Sequence, residues 1–80
     1  MQNIETLSTG QQLKTYRQIK GLTQQDTANY LGCTAATYAN KENGNREFNR
    51  AEMIALKKLF RLNAEQFYNL FFKSYEKGDN

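Results

Sequence analysis

T-Q-Q-D-T-A-N-Y-L-G-C-T-A-A-T-Y-A-N-K-E-N-G, running from Thr23 to Gly44, is the stretch that decides how this chain folds. Thr23 offers a side-chain oxygen that can cap a helix. Asp26, at the third helical position, can return a hydrogen bond to the Thr23 backbone in a variant of the capping box. Ala28 and Leu31 are three apart and share one helix face. Gly32 then provides the backbone freedom that a tight exit needs. Thr34 caps a second helix, and Asn43-Gly44 reads as its C-terminal signal. Two helices of about two turns each bury too little to stand alone. The stretch therefore predicts a helix-turn-helix that needs further helices on both sides.

Those helices can be read outward from it. Upstream, a first helix is predicted over Thr9–Lys20, with Thr9 as N-cap, Leu13 and Tyr16 as an apolar pair, and Gly21 after its end. Arg17 lies one turn beyond Leu13, on the side facing the core, where an unpaired charge is costly. Residues 1–8 carry Ile4 and Leu7 without a period and read as a flexible arm or an irregular helix start. Downstream, Asn45 to Phe48 forms a loop with Phe48 turned inward. Asn49 and Glu52 make a capping box for a fourth helix, whose apolar stripe is Met53, Leu56, Leu59 and Phe60. Lys57, Lys58 and Arg61 complement its dipole and could equally serve DNA. A fifth helix starts at Asn63, with Gln66 as the reciprocal cap, and runs through Phe72 towards Tyr75. Phe67, Leu70 and Phe71 form one stripe on it. Tyr68, Phe72 and Tyr75 form a second stripe, either exposed or covered by a partner. Residues 76–80 read as a polar tail.

Composition narrows the class. Eighty residues suit one small domain with little surplus stability, and 39% hydrophobic with 24% charged residues fits a globular chain. Proline is absent and glycine falls mostly at helix ends, which favours an all-helical fold. One cysteine and no histidine exclude a disulfide framework, a typical zinc cluster and a histidine-dependent triad. Cys33, in the turn, reads as a small buried hydrophobe. No activated nucleophile or metal set is visible, so neither an enzyme nor any metal, cofactor or small-molecule ligand is expected. No apolar run approaches the ~20 residues of a membrane span, and a cytoplasmic location is expected. The net charge of +3 permits nucleic-acid binding without demanding it.

Gln24, Ala28, Gly32, Thr34 and Glu42-Asn43-Gly44 together resemble the lambda-repressor/Cro-like helix-turn-helix family, which includes small regulators of phage type. The resemblance extends from Leu13 and Arg17 to the helix start at Leu62-Asn63, covering about residues 11–72. Thr27 and Lys41 depart from it by standing where the family prefers apolar residues, and Arg61 stands where Gly or Asn usually closes the fourth helix; these departures lower the expected stability. The resemblance implies an all-α bundle of about five short helices forming a single domain over 1–80, and an Arg17–Glu42 ion pair. It implies a sequence-specific DNA-binding regulator that lays its third helix in the major groove of a double-stranded operator. Ala35, Ala36 and Asn40 would then face base edges, while Gln24, Thr34, Asn43 and Arg46 would hold phosphates. Tyr38 falls at a core position, with its hydroxyl expected at the edge. The exposed alanines also fit simple helix propensity. Tyr68, Phe72 and Tyr75 are the expected interface of a homodimer. The alternative is a helix-turn-helix scaffold that binds protein, such as an antitoxin or antirepressor, through its aromatic fifth helix.

Overall fold

Side-chain caps fix where each helix of the chain begins. In the computed structural model, which describes residues 7–73, five helices follow one another: α1 (Thr9–Ile19), α2 (Gln24–Leu31), α3 (Ala35–Glu42), α4 (Arg50–Leu59) and α5 (Ala64–Phe71). No strand occurs among the described residues. The fold is an all-α bundle. Ser8, Thr23, Thr34, Asn49 and Asn63 all take extended backbone angles and accept a hydrogen bond from the third helical residue. At Ser8, Thr23, Asn49 and Asn63 the third residue's side chain returns the bond, so two otherwise orphaned amides are satisfied at each start.

The first cap corrects the sequence reading. Ser8, not Thr9, caps α1, because Gln11 stands three residues after Ser8 and its Oε1 accepts from the Ser8 amide at 3.1 Å. Thr9 is thereby free to bond elsewhere, and its hydroxyl donates to the Leu70 carbonyl at 2.8 Å, fastening α1 to α5. Leu7 and Ser8, assigned by sequence to the N-terminal arm, are engaged here, since the Leu7 carbonyl accepts from Gln12 Nε2 at 2.9 Å. The rest of the arm and the polar tail lie outside the described residues.

The helices also end alike. After α1, α2, α3 and α4, one residue with positive φ is followed by a residue whose amide reaches back to a carbonyl five residues earlier: Leu22 to Arg17, Cys33 to Ala28, Asn45 to Asn40 and Leu62 to Lys57. This double closure satisfies carbonyls that the last helical turn leaves open. Glycine occupies the positive-φ position in three cases, and Arg61, at φ +54°, in the fourth.

The core is Leu13, Ala28, Tyr38, Phe48, Leu56, Phe60, Leu62, Leu70 and Phe71. Burying a leucine such as Leu13, Leu56 or Leu70 contributes roughly 1.5–3 kcal/mol each. α3 packs on α1 and α2, α5 on α1, and α4 on α2. Gly10 permits the α1–α3 approach, since a Cβ there would collide with the Glu42 carbonyl. A chain of ring contacts runs outward from Tyr38 through Phe48, Phe71, Phe67 and Phe72 to Tyr68.

Candidate nucleic-acid interface

The α2–α3 turn is short because Gly32 bends the chain at φ +79°, in the left-handed region that costs a side-chain-bearing residue most. Only Cys33 then separates it from Thr34, the cap of α3. Cys33 is half-buried and packs against the core, and its thiol is free. The turn sets α3 at a fixed angle to α2, and buried contacts on its inner side hold it there.

Glu42 is the centre of those contacts. Its side chain is 0% exposed and accepts from donors on three helices. Arg17 Nε of α1 donates to Oε2 at 3.0 Å and Nη2 to Oε1 at 3.4 Å. Gln24 Nε2 of α2 donates to Oε1 at 3.0 Å. The Tyr38 hydroxyl of α3 donates to Oε2 at 2.7 Å. The remaining arm of Arg17, Nη1, donates to the Leu22 carbonyl at 2.9 Å. Burial pushes the Glu42 carboxyl upward, but hydrogen bonds from Arg17, Gln24 and Tyr38, with the Arg17 charge, outweigh it and hold the pKa below the ordinary value. The Tyr38 phenol moves the other way, raised by burial and by its bond to the carboxylate. Tyr38 is thus fully buried, and its hydroxyl turns inward to Glu42 and not to the edge expected from sequence.

With one side pinned, the other side of α3 faces outward. Ala36, Asn40 and Asn43 are exposed and lie at i, i+4 and i+7, one continuous stripe. Thr34, at the start of the helix, is exposed as well. Ala35 is half-buried in the first turn, about 140° around the helix from Asn40. Gln24 is half-buried, with its amide turned to Glu42. Thr37, which the sequence reading passed over, flanks Asn40 and is held by the Thr34 hydroxyl at 2.9 Å. The threonine–threonine spacing of three, repeated from Thr37 to Asn40, was its signal.

The loop after α3 carries Arg46, which is exposed. Its base is tied by an ion pair the sequence reading also missed: Lys41 Nζ lies 2.8 and 2.7 Å from the two oxygens of Glu52. Pairing across the loop answers why a lysine can stand at an apolar position. The other departure, Thr27, is fully buried and donates its hydroxyl to the Thr23 carbonyl at 3.1 Å, one turn back. On α5, Tyr68 and Phe72 are 39% and 37% exposed and stack on each other with ring centroids 6.4 Å apart. Tyr75 lies outside the described residues. Among the described residues no cluster of acidic, cysteine or histidine side chains could hold a metal ion, and no helix is long and apolar enough to cross a membrane.

A bundle of short capped helices that turns one helix of a central pair outward defines the helix-turn-helix class of small proteins. A family profile described as a helix-turn-helix domain matches residues 9–67, from the first residue of α1 into α5, and the chain belongs to that family. No curated protein and no solved structure matches it.

Proposed function

We propose that the chain is a sequence-specific regulator of transcription, of the repressor/Cro and phage type, that lays α3 in the major groove of double-stranded DNA. One observation carries the reading: the outward stripe of α3, with Ala36 and Asn40, on a helix whose inner side is locked by Tyr38 and Glu42. A groove ~12 Å wide admits such a helix, and small side chains let it enter deeply. Asn40 can donate and accept together, matching the N6 and N7 edge of adenine, while Ala36, one turn away on the same stripe, offers apolar contact to a thymine methyl; Ala35, half-buried off the stripe, could add such contact only from the first turn of the helix. Asn43 at the end of the stripe, with Thr34 at the start of α3 and Arg46 in the loop beyond it, suits phosphate oxygens. Gln24 joins them through its second amide hydrogen, the first being bonded to Glu42. A second copy docked through Tyr68 and Phe72 would set two recognition helices about one DNA turn, ~34 Å, apart.

The test is binding to a selected operator and to scrambled DNA across a salt series. Asn40→Ala is expected to cost about 1–3 kcal/mol on the operator only and to relax preference at one base pair per half-site. Arg46→Ala is expected to weaken both DNAs alike and to reduce the salt slope by about one. Equal loss on both DNAs for Asn40→Ala would overturn base reading by that residue. A second reading, a scaffold that binds protein as an antitoxin or antirepressor does, draws support from the open apolar groove of about 320 Å³ between α4 and α5. Arg50, Met53, Ile54, Phe67 and Phe72 line it. Failure of selection from a random duplex library would favour that reading.

A further inference from the structure

Lys41 is a cation on α3 that faces neither the stripe nor open solvent. Its ammonium holds both oxygens of Glu52, at 2.8 and 2.7 Å, with the two side chains only 10% and 13% exposed. Glu52 cannot swing away, because its Oε1 also accepts from the Asn49 amide at 2.9 Å while its own amide is capped by Asn49. The pair closes the base of the 43–49 loop, and Arg46 stands in the middle of that loop. Lys41 and Arg46 line the same open cavity of about 280 Å³ beneath it. Burial raises the Glu52 carboxyl, but bonds from Lys41 and the Asn49 amide, with the charges of Lys41 and Arg46, hold its pKa below the ordinary value.

An arginine fork matches a carboxylate in the same bidentate geometry with which it matches a phosphate. A half-buried carboxylate without a partner would be a strong competitor for Arg46. Glu47, the exposed neighbour of Arg46, is a weak one, since solvent-exposed pairs are worth little. We infer that Lys41 is a positioning residue that keeps Arg46 available to the DNA backbone by occupying both oxygens of Glu52. This rests on the DNA-binding reading of the Arg46 loop. Lys41 itself touches no DNA; it removes the internal rival for the guanidinium.

The experiment measures binding to a mixed-sequence duplex of about 20 base pairs, because a backbone contact is independent of sequence. Wild type, Arg46→Ala, Lys41→Met, the double variant K41M/R46A and the double variant K41M/E52Q are compared across a salt series, well below their melting temperatures. Glutamine at 52 keeps the capping box and removes the charge. Lys41→Met is expected to fall to the affinity and salt slope of Arg46→Ala, a slope lower by about one, so that its deficit shrinks roughly fourfold between about 50 and 200 mM salt. Adding Arg46→Ala to Lys41→Met changes nothing further, and Glu52→Gln in that background restores the wild-type slope. A wild-type slope in Lys41→Met, additive losses in K41M/R46A, or no rescue by Glu52→Gln overturns the inference while leaving the DNA reading intact. A wild-type slope in Arg46→Ala overturns the phosphate role of the loop, and the inference with it.

Discussion

Truncating Glu42 to alanine tests the joint that holds the helix pair against α1. The side chain is fully buried and receives Arg17, Gln24 and Tyr38 at 2.7–3.4 Å. Its loss leaves the Arg17 guanidinium, whose side chain is 12% exposed, without a counter-charge, with only the neutral Leu22 carbonyl and Tyr38 phenol oxygen beside it. Breaking a buried pair by removing one partner costs about 3–5 kcal/mol. The stranded Tyr38 hydroxyl adds about 1–3 kcal/mol, not fully additively, since it shares the same site. Gln24 is half-buried and recovers most of its loss by turning to water. Against a total stability of roughly 4–12 kcal/mol for a chain of this length, the change removes a large fraction. At about 4–8 °C per kcal/mol, the roughly 3–5 kcal/mol from the broken pair alone means that Glu42→Ala should lower the melting temperature by roughly 12–40 °C. Thermal unfolding followed by far-ultraviolet circular dichroism reads this, with exposed Glu65→Ala as control. Replacing both partners in R17M/E42M should recover much of the loss, because no charge is then left buried alone. A Glu42→Ala melting curve within two or three degrees of the control would refute the reasoning.

Four further outcomes follow from the geometry. Glu42 and Glu52 both titrate below the ordinary value of 4.5, so their stabilisation is complete above that pH and is lost as pH falls through their folded-state values. The melting temperature should drop on acidification below about 4.5, and Glu42→Gln should show a shallower drop. Gly10→Ala, which in an open helix would stabilise, should instead destabilise by about 1–3 kcal/mol because the added carbon meets the rigid Glu42 carbonyl; an unchanged melting temperature counts against that close approach. Arg61→Gly should raise the melting temperature by a few degrees, since release of strain at φ +54° outweighs the lost charge at the α4 terminus and the entropy of glycine; a decrease contradicts this. If α5 pairs two copies, Tyr68→Glu and Phe72→Glu should shift sedimentation from dimer to monomer at high micromolar concentration, and a monomer already in wild type would exclude such pairing.

Most helix starts were legible because each is written locally. Thr23, Asn49 and Asn63 are small polar residues followed at three by a reciprocal partner, Thr34 is a small polar cap without one, and such signals do not depend on tertiary packing. The first start was misplaced by one residue because Ser8 and Thr9 both can cap, and the reciprocal partner Gln11 decides between them. Thr9's own bond, to Leu70, spans 61 residues and leaves no local trace. The same holds for Lys41 and Glu52: the spacing of eleven crosses a loop whose course fixes whether the groups meet. Nothing local marks Gly10, and only the approach of α3 gives it a purpose. On the candidate interface, Ala36, Asn40 and Asn43 came from the family resemblance, and their sharing of one exposed stripe, like the turning of Gln24 towards Glu42, required knowing where α1 and α3 lie.

The three helices that converge on Glu42 cannot come apart singly. Its donors stand 25, 18 and 4 residues away along the chain, on α1, α2 and α3 in turn. Swinging α1 off the bundle strips the carboxylate of its charged partner while α2 and α3 still enclose it, and that half-opened arrangement is worse than full exposure. Opening is therefore all-or-none across these elements. In amide hydrogen exchange, α1, α2 and α3 should therefore open as one cooperative unit with a common free energy, and a separate, lower opening of α1 would contradict this.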